Sequence, residues 1–290
     1  MIQHEPVLLR EVLEMLDVKE NGIYVDATAG GGGHSREILG RLSDRGVLVC
    51  ADRDDDAIGR LTRLFDDHRV VMKKTTFSDI YEDVMSAGFD NVDGILFDLG
   101  VSMHQLKDKD RGFSFDSDVR LDMRMDASLA LTAWDVVNKY PQREIERILR
   151  EYSDERFFRR IARAIVNCRR KKTIDTCRDL ADIVVRAYGR RGKIHPATRT
   201  FQAIRIAVNN ELEELNDGLR NAVKLLKSGG RLCVISYHSI EDRIVKNFIR
   251  DRSRDGILHA LTKKPLTASS DEVRSNPAAR SAKLRGAEKI

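Results

Sequence analysis

No run of apolar residues in this 290-residue chain reaches the ~18–20 needed to cross a bilayer as a helix. Its opening, MIQHEPVLLREVLEML, carries Glu5, Glu11 and Glu14 and lacks the apolar centre of a signal peptide. Only four cysteines are present, Cys50, Cys168, Cys177 and Cys233, widely separated and never in a C-x-x-C pair. This spacing supports neither a disulfide framework nor a zinc site; it reads as reduced, structural thiols in a cytoplasmic protein. Internal repeats and low-complexity tracts are also missing. Net charge is a modest +5, yet basic residues crowd positions 156–172, 186–193 and the last forty. Such crowding admits a polyanionic partner without requiring one, since a basic helix face is more often simply solvated. Oligomeric state is left open, a homodimer included.

What the chain does have is alternation. Short apolar segments at 23–28, 47–52, 70–75, 94–99 and 231–237 each end in a polar or glycine-rich turn, as buried parallel strands do. Helical spacing fills 35–42, 54–65 and 80–87 between the first four, and a further amphipathic stretch at 7–16 precedes them. The expected fold class is therefore α/β, a Rossmann-like doubly wound sheet. After Leu99 the alternation stops. PQREIERILREYSDERFFRRIARAIVNCRR sets Ile145, Leu149, Tyr152, Phe158, Ile161 and Ile165 at helical intervals, and no strand pattern appears between 107 and 195. The prediction is an all-helical domain, 107–195, inserted into a discontinuous sheet domain, 1–106 and 196–290. Trp134, Met123 and Met125 read as core of the insertion. LHALTKKPLT and SAKLRGAEK suggest a closing pair of strands.

The densest signal is IYVDATAGGGGHS, residues 23–35, where four glycines follow a strand and an acid. Glycine suits positive φ and close approach of a ligand to bare backbone. A P-loop needs Gly-Lys-Ser/Thr, and here the glycines run into His34-Ser35. The dinucleotide fingerprint needs a third glycine where Ser35 stands. What remains, an acid at the strand end and then Gly30-Gly31-Gly32, suits S-adenosylmethionine (AdoMet), which has no pyrophosphate. Asp52 ends the second strand and can accept both hydroxyls of a ribose, although that feature serves NAD equally and an N-cap role competes. Asp98 ends the fourth strand, so Asp26, Asp52 and Asp98 are expected on one carboxyl rim. An Asp/Asn-Pro-Pro-Tyr/Phe motif, as in DNA amino-methyltransferases, is absent: the residues there are Asp98-Leu99-Gly100-Val101.

Longer motifs then carry a family resemblance. HEPVLLREVLEML, DATAGGGGHSREIL, ADRDDDAI, FDLGVSMHQL, RGFSF, LDMRMD, HPATRTFQAIRIAVNNELEEL, ISYHSIEDRIVK and NPAARSAKLR, in this order, resemble the bacterial ribosomal RNA small subunit methyltransferase H family. The resemblance implies a class I AdoMet-dependent methyltransferase fold. It implies methylation of the exocyclic N4 of cytidine 1402, in the decoding region (P site) of 16S rRNA, with the assembled small subunit as partner. No metal is implied. It places Gly32, Gly33 and His34 in the cofactor turn, Asp52 on the ribose and Phe77 against the adenine, with Asp98 and Gln105 completing the pocket. Met103-His104 and Val119-Arg120 stand where the family commonly has Ser-Pro and Gly-Pro, and the segment before NPAARS is shorter.

Transfer to an amino group needs an acceptor for the N4 proton, and Asp98 is the candidate. Tyr237, His238 and Ser239 follow the fifth strand and are candidates to meet the base, with His238 as a second catalytic candidate. The competing expectation makes Ser239 the N-cap of the next helix through a Ser-x-x-Asp pattern ending at Asp242. Arg169–Lys172 and Arg190-Arg191-Lys193 are expected on RNA phosphates. An NAD-linked dehydrogenase, a methyltransferase for another base, and an AdoMet-retaining assembly factor without activity are the competing readings.

Overall fold

The computed structural model describes residues 6–102, 105, 106, 108–189 and 195–290. Met103-His104, Arg190-Arg191-Lys193 and the first five residues lie outside the described residues. In chain order the first unit contains α1 (Leu9–Leu16), β1 (Ile23–Asp26), α2 (Gly33–Leu39), β2 (Val47–Asp52), α3 (Asp55–Leu64), β3 (Val70–Lys74), α4 (Ile80–Ser86) and β4 (Val92–Asp98). Then come α5 (Ala133–Lys139), α6 (Gln142–Ser153), α7 (Phe158–Arg169), α8 (Cys177–Tyr188) and α9 (Ala197–Asn209). The chain ends with α10 (Glu211–Leu225), β5 (Leu226–Ser236), α11 (Ser239–Arg254), β6 (Leu258–Ala260), α12 (Ser270–Ser275) and β7 (Lys283–Lys289).

Two compact units result, 1–100 with 212–290, and 101–211. The helical unit is thus larger at both ends than the sequence suggests. Helix α9 packs its Phe201, Ala203, Ile204 and Val208 into the same core as α6, α7 and α8, whereas its periodicity alone had grouped it with the returning sheet domain. A helical pattern names a buried face but not the core that buries it.

In the first unit the seven strands lie in the order β3-β2-β1-β4-β5-β7-β6. The first five are parallel, and β7 runs antiparallel between β5 and β6. This is the class I methyltransferase sheet, with the closing strands where LHALTKKPLT and SAKLRGAEK suggested. Successive side chains leave opposite faces of a strand, and they sort into two cores. Val25, Val49, Ile95, Phe97 and Val234 join Ile80, Leu215, Leu219 and Ile249 on one face. Tyr24, Leu48, Cys50, Leu96, Cys233 and Ile235 join Val12, Leu16, Ile38 and Leu61 on the other. A sheet covered on both faces needs no polar positions, which is why these strands read as continuous apolar runs. All four cysteines are free thiols, and burial pushes the Cys50 thiol up to about 12.

The helical unit has a polar keystone. Asn209 at the end of α9 is fully buried; its Nδ2 donates to the Met123 carbonyl (2.7 Å), and its Oδ1 accepts from the Met125 N–H (2.7 Å). Met123 itself sits at φ 61, a left-handed conformation costly for a side chain of its size. Both methionines are core residues, as expected. Asn209→Ala would strand two buried backbone groups at ~1–3 kcal/mol each, so a loss of about 3 kcal/mol is expected, read as a lower urea midpoint. Trp134 is half-buried and donates from Nε1 to Asp175 Oδ1 at 2.9 Å. Arg120 lies 5.7 Å from its ring centroid.

Candidate active site

The register of three strands builds the rim. Asp26 pairs with Cys50 on β2 and with Leu96 on β4. Asp52 and Asp98 therefore each lie two residues beyond Asp26, on either side of it, about 7 Å further along the strands and about 10 Å from one another across the sheet. Asp26 turns out to be the organiser of the turn. It is 1 % exposed, its Oδ2 accepts from Ser35 Oγ at 2.6 Å, and its Oδ1 accepts from the Thr28 N–H at 3.2 Å. Thr28 in turn uses Oγ1 to accept the Asp98 N–H at 2.6 Å. Burial raises the Asp26 carboxyl above the usual range. Of the three acids expected to converge on a ligand, this one has its oxygens committed inward.

The glycines between them have separable reasons. Gly30 and Gly32 adopt φ 49 and 78, where side chains are strained. Gly33 has ordinary helical backbone, but a Cβ there would lie 2.8 Å from Pro6 Cγ. Half of the glycine run thus answers to backbone conformation and one member to packing; Gly31 is exposed.

Asp52 faces the turn directly. Its Oδ2 accepts from the Gly30 N–H and its Oδ1 from the Asp54 N–H, each at 2.9 Å. The helix cap that competed for Asp52 falls to Asp54, which accepts from the Asp56 N–H at 3.1 Å and opens α3. Each Asp52 oxygen keeps a lone pair for a further donor. Burial pushes the carboxyl up to about 6, against the pull of the Asp54 and Gly30 amides.

Asp98, with 24 % of its side chain exposed, is gripped from two sides. Tyr237 Oη donates to Oδ1 at 2.7 Å. The His34 ring sits with Nδ1 3.6 Å from Oδ2 and with Nε2 3.0 Å from the Val7 carbonyl. Burial raises the Asp98 carboxyl, opposed by His34 and Tyr237. His34 is itself buried, so its ring supports Asp98 while its backbone belongs to the glycine turn.

His238 is placed differently from expectation. It, and not Ser239, caps α11: Nδ1 accepts from the Glu241 N–H at 3.3 Å, and Glu241 Oε2 accepts from the Tyr237 and His238 N–H groups. The capping box runs one residue earlier than the Ser-x-x-Asp pattern because Ser239 already has helical backbone, and Asp242 instead pairs with Lys283 and Arg285 of β7. Phe77, in the loop after β3, meets Phe97 of β4 edge-on at 5.0 Å and packs against Gly218 of α10, where a Cβ would come within 2.7 Å. Its ring is half-buried. Gln105 belongs to the helical unit; its Oε1 accepts from the Ser102 N–H at 3.0 Å. Tyr237 as a partner of Asp98 was not legible in advance, although its place two residues past Ile235, which pairs with Asp98, follows from the register.

A model of one protein family, the MraW methylase family, matches residues 1–290. The chain belongs to that family. It is 50% identical over the whole length of both chains to the ribosomal RNA small subunit methyltransferase H of Persephonella marina (strain DSM 14350 / EX-H1). It is 42% identical to the protein of the same name from Clostridioides difficile (strain 630), covering 99% of each. A crystal structure named PH0851 superimposes with a TM-score of 0.50 at 14% identity, covering all of this chain and 47% of that one, a likeness of fold alone.

AdoMet is the cofactor of this MraW-type methylase, and the rim fits it. Residues 26–35 contain no Lys or Arg to hold a pyrophosphate, and acids flank the turn on both sides. A nucleoside with hydroxyls to donate and a positive sulfonium suits carboxylates at 52 and 98; a dinucleotide pyrophosphate between them would be repelled.

Proposed function

We propose that this methylase transfers the methyl group of AdoMet to the exocyclic N4 of cytidine 1402 of 16S rRNA, within the small ribosomal subunit. The observation that carries the reading is the Asp98 carboxylate: partly open, at the end of β4, held by Tyr237 Oη while Thr28 Oγ1 accepts the Asp98 backbone N–H, and next to the glycine turn. AdoMet supplies an electrophilic methyl carbon when bound. The chain's part is to position and to manage a proton. Gly30–Gly33 offer backbone to the cofactor, Asp52 accepts from its ribose, and the half-buried Phe77 ring is available to its adenine. Cytosine N4 is a poor nucleophile because its lone pair is delocalised, so a carboxylate accepting an amino hydrogen returns density to nitrogen. Asp98 takes that role. His238 orders the start of α11 beside Tyr237 and contributes through that placement. A target base must leave its stack to reach such a rim. An acceptor of this kind serves an amino group better than a ring carbon, which favours N4. Ribosomal subunits as substrate also place the protein in the cytoplasm.

The helical unit is assigned to RNA. Helix α7 and the residues just after it, FRRIARAIVNCRRKK, contain no acid, and Arg159, Arg163, Arg170, Lys171 and Lys172 are exposed. Arg169 drops out of the expected phosphate run because its guanidinium donates to the Val137 and Tyr140 carbonyls at 2.6 and 2.7 Å. Charge reversal at Arg170, Lys171 and Lys172 should flatten the salt dependence of RNA binding by roughly one counterion per lost phosphate contact; an unchanged slope removes the patch from the interface.

Mass spectrometry of 16S rRNA nucleosides from cells with and without the active gene tests the target. N4-methylcytidine at one position, present only with the protein, is the expected result. A methyl on another atom or base would overturn it.

A further inference from the structure

The two neighbours of Asp98 do different things. Tyr237 donates to Oδ1, and burial together with Asp98 pushes the tyrosine hydroxyl far above its ordinary value, so it stays protonated and donates at every working pH. His34 is the opposite case. Its Nε2 faces the Val7 carbonyl, and a carbonyl only accepts, so Nε2 carries a hydrogen. Nδ1 is then the open position of a neutral ring, and it looks at Asp98 Oδ2 across 3.6 Å. With the carboxylate ionised, two lone pairs oppose one another there. A proton arriving on either atom turns that opposition into attraction.

The remaining charged groups around Asp98 are Asp26 from β1 and Glu241 from α11, both disfavouring its ionised form. The Tyr237 hydroxyl favours that form, and the His34 ring does so once it carries the proton. Among the described residues the Tyr237 hydroxyl bonds to Asp98 alone, and its ring is half-buried just past the end of β5.

We propose that Tyr237 is the positioning residue that keeps Asp98 ionised and aimed, and that His34 Nδ1 is the second stop for the proton Asp98 removes. This rests on Asp98 being the acceptor for N4. The balance is simple. The nitrogen lone pair forms the new N–C bond, the C–S bond breaks with its electrons left on sulfur, and N4 is left positive with two hydrogens. One of these passes to Asp98 Oδ2 and on to Nδ1, giving an imidazolium beside a carboxylate. His34 is 7 % exposed against 24 % for Asp98, so the proton returns to water by way of Asp98.

Tyr237→Phe keeps the ring and deletes the donor. In single-turnover methylation of small subunits across pH, the wild-type rate should rise as Asp98 ionises. In the variant the midpoint of that rise should move up by about one unit, a tenfold loss on the acid side, because the ionised form has lost a hydrogen bond. The high-pH plateau should stay within about threefold, since acceptor and cofactor contacts are intact. A second readout needs no turnover. The Asp98 carboxyl carbon, followed by NMR in protein without cofactor, reports its ionisation, and its midpoint should rise in the same variant. His34→Gln, which keeps a donor for Val7 but has no Nδ1 base, should lower the plateau by about tenfold or more. An unmoved midpoint by both readouts, or a loss equal at every pH, overturns the proposal. If the wild-type product carries its methyl elsewhere than N4, the target assignment falls, and the Asp98 titration still decides what Tyr237 does.

Discussion

Asp98→Asn is expected to slow methyl transfer by about 10²–10⁴-fold while weakening AdoMet binding by less than about tenfold. The substitution keeps shape. An asparagine carbonyl oxygen can still accept from Tyr237 Oη, which now meets Asp98 Oδ1 at 2.7 Å, and the amide nitrogen can face His34 Nδ1. What disappears is the capacity to take a proton, because an amide is not a base at working pH. Rate and affinity therefore part company. They are checked by single-turnover kinetics at saturating AdoMet and by calorimetric titration of the cofactor. Equal losses in both would make Asp98 a binding residue and leave the N4 proton to another group.

AdoMet affinity should fall about 100-fold in Asp52→Ala, the value of two charge-assisted hydrogen bonds less their desolvation. The same carboxylate predicts how affinity depends on pH. Burial pushes Asp52 up to about 6, and ribose hydroxyls donate to the ionised form. Affinity should be flat above about pH 7 and fall by up to tenfold per unit as pH drops through 6. Binding favours the ionised acid, so cofactor uptake near pH 6 should release a proton. Asp52→Asn should flatten the profile; a profile that keeps its full slope in that variant would move the titrating group elsewhere. Removing the carboxylate also frees the Gly30 and Asp54 amides that it now holds at 2.9 Å each. Part of the loss will therefore appear as a looser glycine turn.

Much of this site could be read in advance, for reasons particular to its residues. Parallel strands covered on both faces give unbroken apolar runs, and their ends mark the rim, so Asp52 and Asp98 stood out. The glycines stood out because few residues tolerate the backbone of Gly30 and Gly32. Asp26 looked the same as the other two acids, and nothing local marked it as the one whose oxygens accept from Ser35 and Thr28. The cap at the start of α11 was misplaced by one residue because Ser and His can both accept from a backbone amide. The choice fell to His238 once Glu241 turned back onto the Tyr237 and His238 N–H groups. Arg169 sat in a basic run expected as a whole on RNA phosphates, until the carbonyls ending α5 claimed its guanidinium.

The sequence by itself determined the alternation of strands and helices, the place where it is interrupted, the family and the glycine turn, since each depends on periodicity, φ tolerance or contiguous motifs. Only the tertiary structure decided which core α9 joins, which way each rim acid faces and that Tyr237 and His34 close on Asp98. Those outcomes rest on pairings between residues up to 139 positions apart in the chain, and the register that sets them is a property of the folded sheet.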